Sequence, residues 1–192
     1  MEVLRCFLAL TLDEHARAQM EQVQGQLADR GVRVRWESND KVHVTVRFLG
    51  DTTEKRRSDL EAALSPWASG SAPMDLVFNA LGAFPSSERP RVIWAGAFPT
   101  DILMACGQEV EELCRSAGFP AELRPFHPHC TLARVRERDD VHALTKAIER
   151  ITFDPILVRA SELVLMRSVL LPGGSQYRAR ASFPLNRSRS IP

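Results

Sequence analysis

Two copies of His-x-Thr-x, His43-Val44-Thr45-Val46 and His129-Cys130-Thr131-Leu132, hold the residues of this chain best suited to chemistry. Histidine has an ordinary pKa of about 6.5, so a pair can protonate a leaving oxygen and deprotonate a nucleophile in one displacement. Threonine hydroxyls donate to non-bridging phosphate oxygens and stabilise negative charge as it redistributes in a transition state. A proton donor, a proton acceptor and two hydroxyl ligands for an oxyanion form a set that suits a phosphodiester. Neither role requires a metal.

The spacing says how the chain must present them. Side chains at i and i+2 of a strand share a face, so His43 and Thr45 stand together, as do His129 and Thr131. Val44 and Cys130 then point into the core. A slip of one residue would bury the histidines and expose those apolar residues, so burial fixes the register. The second histidine follows the first by 86 residues. An internal duplication is plausible, each half supplying one strand to a shared groove about a pseudo-twofold axis.

The surrounding pattern predicts alternating strands and helices. A strand is expected over residues 3–11, then a helix capped by Asp13 and ended by Gly31. Short strands follow over 32–36 and 42–49, with Gly50-Asp51 closing the second. A helix capped by Thr52 or Thr53 reaches about Trp67, and strands over 74–84 and 91–97 precede a helix over 100–117. The second motif lies within 124–135, followed by a helix over 139–150. Two strands, 157–168 and 175–183, flank Pro172-Gly173-Gly174. Several neighbouring strands are joined by turns too short for a crossover. The expected class is therefore α+β: two largely antiparallel sheets in a bilobal, pseudo-twofold arrangement, with helices outside and a central cleft between the motifs.

The chain of 192 residues is 44% hydrophobic, ample for one packed domain over 1–192 built of two interleaved lobes. A net charge of +1 excludes the strong overall basic field of proteins that grip long nucleic acid chiefly through phosphates. Basic character collects at the carboxy end, at Arg178, Arg180, Arg187 and Arg189. Cys6, Cys106, Cys114 and Cys130 show no C-x-x-C spacing and read as reduced thiols. With no signal-peptide pattern and no apolar run near the ~20 residues that span a bilayer, a cytoplasmic protein without a membrane partner is expected.

The stretches His43-Val44-Thr45-Val46-Arg47-Phe48-Leu49-Gly50 and Arg124-Pro125-Phe126-His127-Pro128-His129-Cys130-Thr131-Leu132 resemble the two signatures of the two-histidine (2H) phosphoesterases. In particular they are similar to the RNA 2′,3′-cyclic phosphodiesterase branch, ThpR or LigT, historically called 2′-5′ RNA ligase. The likeness extends to Arg5-Cys6-Phe7-Leu8-Ala9-Leu10, Arg91-Val92-Ile93-Trp94 and Leu165-Met166-Arg167-Ser168 with Gly174 and Tyr177. It implies metal-independent, cofactor-free opening of an RNA 2′,3′-cyclic phosphate to a 2′-phosphomonoester. By the same resemblance His43 is the proton donor and His129 the acceptor, while Thr45, Thr131 and Arg134 bind the phosphate. Strand alternation would point Arg134 away from Thr131, so a bulge or strand end must re-aim it. The implied partner is RNA with a cyclic-phosphate 3′ end, tRNA fragments and cyclic nucleotides being open alternatives, and a monomer is expected.

Two other functions compete: ATP-independent 2′-5′ ligation, with a 5′-hydroxyl replacing water at the same phosphorus, and a non-catalytic RNA-end or nucleotide-binding module. His127 shares parity with His129 and admits a zinc ligand or a cleft-wall residue. Phe7, Phe48, Trp94 and Phe126 adjoin matched segments and could stack a base or fill the core. Arg47 shares the parity of His43 and is placed at the cleft or on the surface. His15 and His142 fall on helices without matching partners and read as surface or structural.

Overall fold

The computed structural model describes residues 3–137, 139–171 and 174–187. The elements run β1 (Val3–Thr11), α1 (Glu14–Asp29), β2 (Arg35–Trp36), a 3₁₀ turn (Asn39–Lys41), β3 (His43–Thr53), α2 (Glu54–Ser69), β4 (Met74–Phe84), β5 (Val92–Ala97), α3 (Asp101–Ser116), β6 (His129–Arg134), α4 (Val141–Arg150), β7 (Ile156–Ala160), β8 (Glu162–Leu171) and β9 (Gly174–Pro184). Each helix begins where a short polar side chain can take up an orphan amide. Asp13, Thr53, Thr100 and Asp140 accept from the backbone N–H three residues on. Gly31, just beyond α1, adopts φ +84°, where a Cβ would be strained.

The fold is α+β with antiparallel pairing throughout, but the two expected sheets are halves of one nine-stranded sheet. Its order is β7-β4-β5-β6-β3-β1-β8-β9, with β2 added alongside β6. The halves meet where β3 joins β6 through the single pair Val44↔Cys130. Outward from that seam, β3-β1-β8-β9 mirrors β6-β5-β4-β7, the pseudo-twofold arrangement that the doubled motif suggested.

The sheet must coil. Ser161 alone separates β7, at one edge, from β8, near the other. Six strand spacings in a flat sheet would part them by about 29 Å, whereas two Cα steps span at most about 7.6 Å. Two backbone bonds hold this corner: Leu185 N–H to the Ser161 carbonyl at 2.8 Å and Arg187 N–H to the Ser71 carbonyl at 2.9 Å. The expected single strand over 157–168 is thus two strands, because the apolar alternation runs through a corner that leaves no local mark.

The other differences are smaller. Gly50 does not close β3: at φ +67° it accommodates a bulge, and pairing continues to Val3↔Thr53. Only Arg35–Trp36 of the expected 32–36 strand forms a ladder, pairing with Arg134 and Ala133 of β6. Pro172, Gly173 and Arg189 lie outside the described residues. All four cysteines are free and buried.

One face of the sheet carries the main core. Leu8 and Leu10 of β1 join Met20 of α1, Leu60 and Leu64 of α2, and Val110 of α3 there. A smaller cluster beneath α4 includes Leu27, Ile93, Ala133 and Leu144. The opposite face is left for the site. Among the described residues, no helix is long and apolar enough to cross a membrane.

Candidate active site

The pairing of Val44 with Cys130 sets the site. Both residues are fully buried on the core face. In an antiparallel pair the residue before one partner lies across from the residue after the other, so His43 opposes Thr131 and Thr45 opposes His129. Each histidine thereby meets the other motif's threonine across the seam. All four line one cleft of about 580 Å³.

The imidazoles are held alike. Nδ1 of His43 lies 2.6 Å from the Lys41 carbonyl, and Nδ1 of His129 lies 2.6 Å from the His127 carbonyl. A carbonyl only accepts, so each Nδ1 carries the proton and donates, leaving each Nε2 as the working atom. His43 Nε2 stands 3.1 Å from Thr45 Oγ1. Each ring has its own aromatic setting. His43 stacks on Phe7 at 5.0 Å and meets the edge of Tyr177 at 5.3 Å. His129 meets Phe84 at 5.0 Å and Trp94 at 6.3 Å. The Trp94 ring lies over two glycines, and a Cβ at Gly82 or Gly96 would come within 2.2 or 2.8 Å of it.

Burial in these settings disfavours the charged imidazole. It pushes His43 down to about 4, against the raising influence of its Lys41 bond and of Glu37, and the charge of His129 pushes the same way as burial. Burial also lowers His129, opposed by its bond to the His127 carbonyl. Both rings are therefore largely neutral at pH 7 in the free protein.

Arg134 reaches the cleft by the bulge that its position required. Ile93 pairs with Ala133 and Trp94 with Thr131, which makes Leu132 the extra residue. Parity flips there, so Thr131 and Arg134 face the same side, and Arg134 Nε donates to Glu37 Oε1 at 2.7 Å. The first motif repeats the device. Leu8 pairs with Arg47 and Ala9 with Thr45, leaving Val46 as the extra residue. Val46 and Arg47 are both 8% exposed, and Phe48 then turns outward at 54%. Phe48 is thus the pseudo-twofold counterpart of Arg134.

This bulge corrects the placement of Arg47, which is neither on the cleft nor on the surface. Its guanidinium is buried, donating to Glu111 and to the carbonyls of Phe48 and Pro120. Phe7 is buried beneath His43, while Phe126 packs over Gly107 of α3. His127 lies 5.0 Å from Trp94 and 5.9 Å from His129, ring to ring, packed behind the His129 ring and not among the residues that line the cleft. No group of three or more His, Cys, Asp or Glu able to hold a metal occurs among the described residues. His15 and His142 are exposed on α1 and α4.

Sequence reasoning missed Glu37, Tyr177 as a ring against His43, and Gln24. Gln24 is a buried polar residue whose Nε2 donates to the carbonyls of Leu132 at 2.8 Å and Glu37 at 2.9 Å. One signal could have found it: Gln24 lies between Met20, Val23 and Leu27 on the apolar stripe of α1, where an amide needs buried partners.

The model of the 2′-5′ RNA ligase superfamily matches residues 9–170, spanning both motifs and the strands that pair with them. The chain belongs to that superfamily. The chain is 31% identical over 175 residues to the RNA 2′,3′-cyclic phosphodiesterase of Thermotoga maritima, covering 91% of this chain and 92% of that one. It is 30% identical over 161 residues to the RNA 2′,3′-cyclic phosphodiesterase of Aeropyrum pernix, covering 83% and 90%. A solved structure from Thermus thermophilus superposes with a TM-score of 0.77 at 26% identity, covering 95% of this chain and 98% of the other. E. coli LigT, solved with 3′-AMP, shares the fold with a TM-score of 0.74 at 23% identity over 97% of this chain and all of the other.

Proposed function

We propose that this protein hydrolyses 2′,3′-cyclic phosphate ends of RNA to 2′-phosphomonoesters. The observation that carries this reading is the opposition of two Nδ1-anchored histidines, each across from the other motif's threonine, in one cleft. His43 Nε2 protonates the departing 3′ oxygen, and His129 Nε2 accepts a proton from the attacking water. Thr45, Thr131 and Arg134 hold the non-bridging oxygens. An incoming phosphate anion supplies what the free His43 lacks, because negative charge beside Nε2 favours the imidazolium and raises its pKa. Both halves of the cleft come from one chain, which supports a monomeric enzyme of one domain with two interleaved lobes.

Purified protein offered cyclic-phosphate mononucleotides, short oligomers and tRNA fragments should release 2′-monoesters. Replacing His43 or His129 by alanine should each lower turnover by roughly 10²–10⁴-fold with the fold intact by circular dichroism. Full turnover in both variants, or a 3′-monoester product, would reject the assignment.

A further inference from the structure

The cleft is far more basic than the molecule. Its lining includes Arg5, Arg35, Lys41, Arg124 and Arg134 with Glu37 as the carboxylate, whereas the chain as a whole carries a net charge of +1. One reacting phosphate does not explain this, since Thr45, Thr131 and Arg134 already surround it in the reading above. Arg5 and Arg124 belong to another part of the cleft.

Along β1 the cleft-facing residues beyond Ala9, the partner of Thr45, are Phe7 and then Arg5. Phe7 pairs with Phe48, at 6.1 Å ring to ring, and Arg5 pairs with Asp51. From the reacting end, the cleft therefore presents hydroxyls, then an exposed aromatic face at Phe48, then a cation. Arg124 is brought to that same end by a buried anchor. Arg47 donates to the carbonyls of Phe48 and Pro120, docking the segment before β6 beside Phe48, and lies 3.5 Å from Glu122. Glu122 holds Arg124 through both oxygens, at 3.1 Å to Nε and 3.0 Å to Nη2. An exposed arginine is ordinarily mobile. This one is fixed at a cost already met in folding, so less ordering entropy is lost when it takes up an anion.

Resting on the proposed activity, we infer that Phe48, Arg5 and Arg124 form a second subsite, in which the terminal base stacks on Phe48 and the 5′-phosphate of the terminal nucleotide sits between the two arginines. The occupant is single-stranded RNA: a nucleoside cyclic phosphate with a free 5′-hydroxyl fills only half of the cleft. The pseudo-twofold pairing of Phe48 with Arg134 gives the cleft its polarity, with the nucleoside on the Phe48 side.

The test compares kcat/KM for cytidine 2′,3′-cyclic phosphate with that for the same compound carrying a 5′-phosphate. The wild-type protein should prefer the 5′-phosphorylated compound by about tenfold or more. The ratio should fall towards one in Arg5→Gln and Arg124→Gln and survive in Arg159→Gln, an exposed arginine of β7 paired with Asp75 of β4 and outside the cleft lining. Phe48→Ala should raise KM for both compounds and keep the ratio. A wild-type ratio near one, or a ratio unchanged in both cleft variants, would overturn the subsite while leaving cyclic phosphodiester hydrolysis standing. Failure to turn over either compound would overturn the hydrolase reading and the subsite with it.

Discussion

His43 illustrates how a residue's chemistry depends on what surrounds it. Phe7 and Tyr177 enclose the ring, and burial holds it down to about 4. A group with that value is a poor proton donor at pH 7 until an anion arrives. Its Nδ1 and Nε2 resonances should titrate near 4 in the free protein, and the midpoint should climb by at least one unit when a nucleoside 2′-phosphate is bound; an unmoved midpoint would remove His43 as the donor. The same shift has a consequence for stability. An unfolded imidazole titrates near 6.5, so between that value and about 4 the folded chain binds fewer protons than the unfolded one. The folded state is therefore favoured above pH 6.5 and loses that advantage as pH falls to about 4. Urea unfolding of His43→Asn across this window should show a flatter pH dependence than the wild-type protein.

At the level of strands and helices, the two bulges do the positioning. Leu132 turns Arg134 into the cleft, and Gln24 of α1 clamps that bulge by donating to the backbone carbonyls of Leu132 and of Glu37, whose side-chain carboxylate holds Arg134. Gln24→Met keeps the volume but removes two hydrogen bonds, one to the Leu132 carbonyl, which still accepts from the Glu37 N–H at 2.9 Å, and one to the part-buried Glu37 carbonyl, each worth about 0.5–1.5 kcal/mol. It should lower the unfolding midpoint and reduce kcat/KM about tenfold, chiefly through KM. In the Arg134→Ala background it should cost no further activity, because the two residues act in series; additive losses would mean that Gln24 matters only for stability. The paired histidines, the threonines and the helix caps at Asp13 and Thr53 were legible in the sequence, because each rests on spacing within a few residues. The resemblance placed Arg134 at the phosphate, and strand alternation then required a bulge or strand end to bring it there. The sequence concealed which residue would provide one, since Val46 and Leu132 look like ordinary apolar positions until their partner strands are known. The turn at Ser161 was hidden for the same reason: alternation reports which face is buried and is silent about which strand lies alongside.

In the molecule as a whole, the site sits at the thinnest part of the sheet. The β8–β9 and β1–β3 ladders are long, but among the described residues the two halves are laddered together at the cleft through the one pair Val44↔Cys130, with β2 bracing β6 from the side and the bonds of Leu185 and Arg187 closing the far corner. Thr45 and His43 belong to one half, and Thr131, His129 and Arg134 to the other. In the proposed function a bound phosphate bridges the seam, and its binding energy then opposes separation of the halves. Local opening across so short a ladder should cost less than global unfolding. Amide hydrogen exchange at Val44 and Cys130 should accordingly be faster than at Leu8 and Leu165, which pair within the long β1–β8 ladder. Saturating a nucleoside 2′-phosphate should slow exchange at the seam while leaving Leu8 and Leu165 little changed, provided exchange there also proceeds by local opening. Ligand stabilisation of a state that the open form cannot bind grows as RT ln(1 + [L]/Kd), so the seam's protection should rise with ligand concentration on that curve. Equal protection at all four amides in the free protein, or a seam indifferent to ligand, would mean that the halves move as one rigid body and that the phosphate is held by one of them alone.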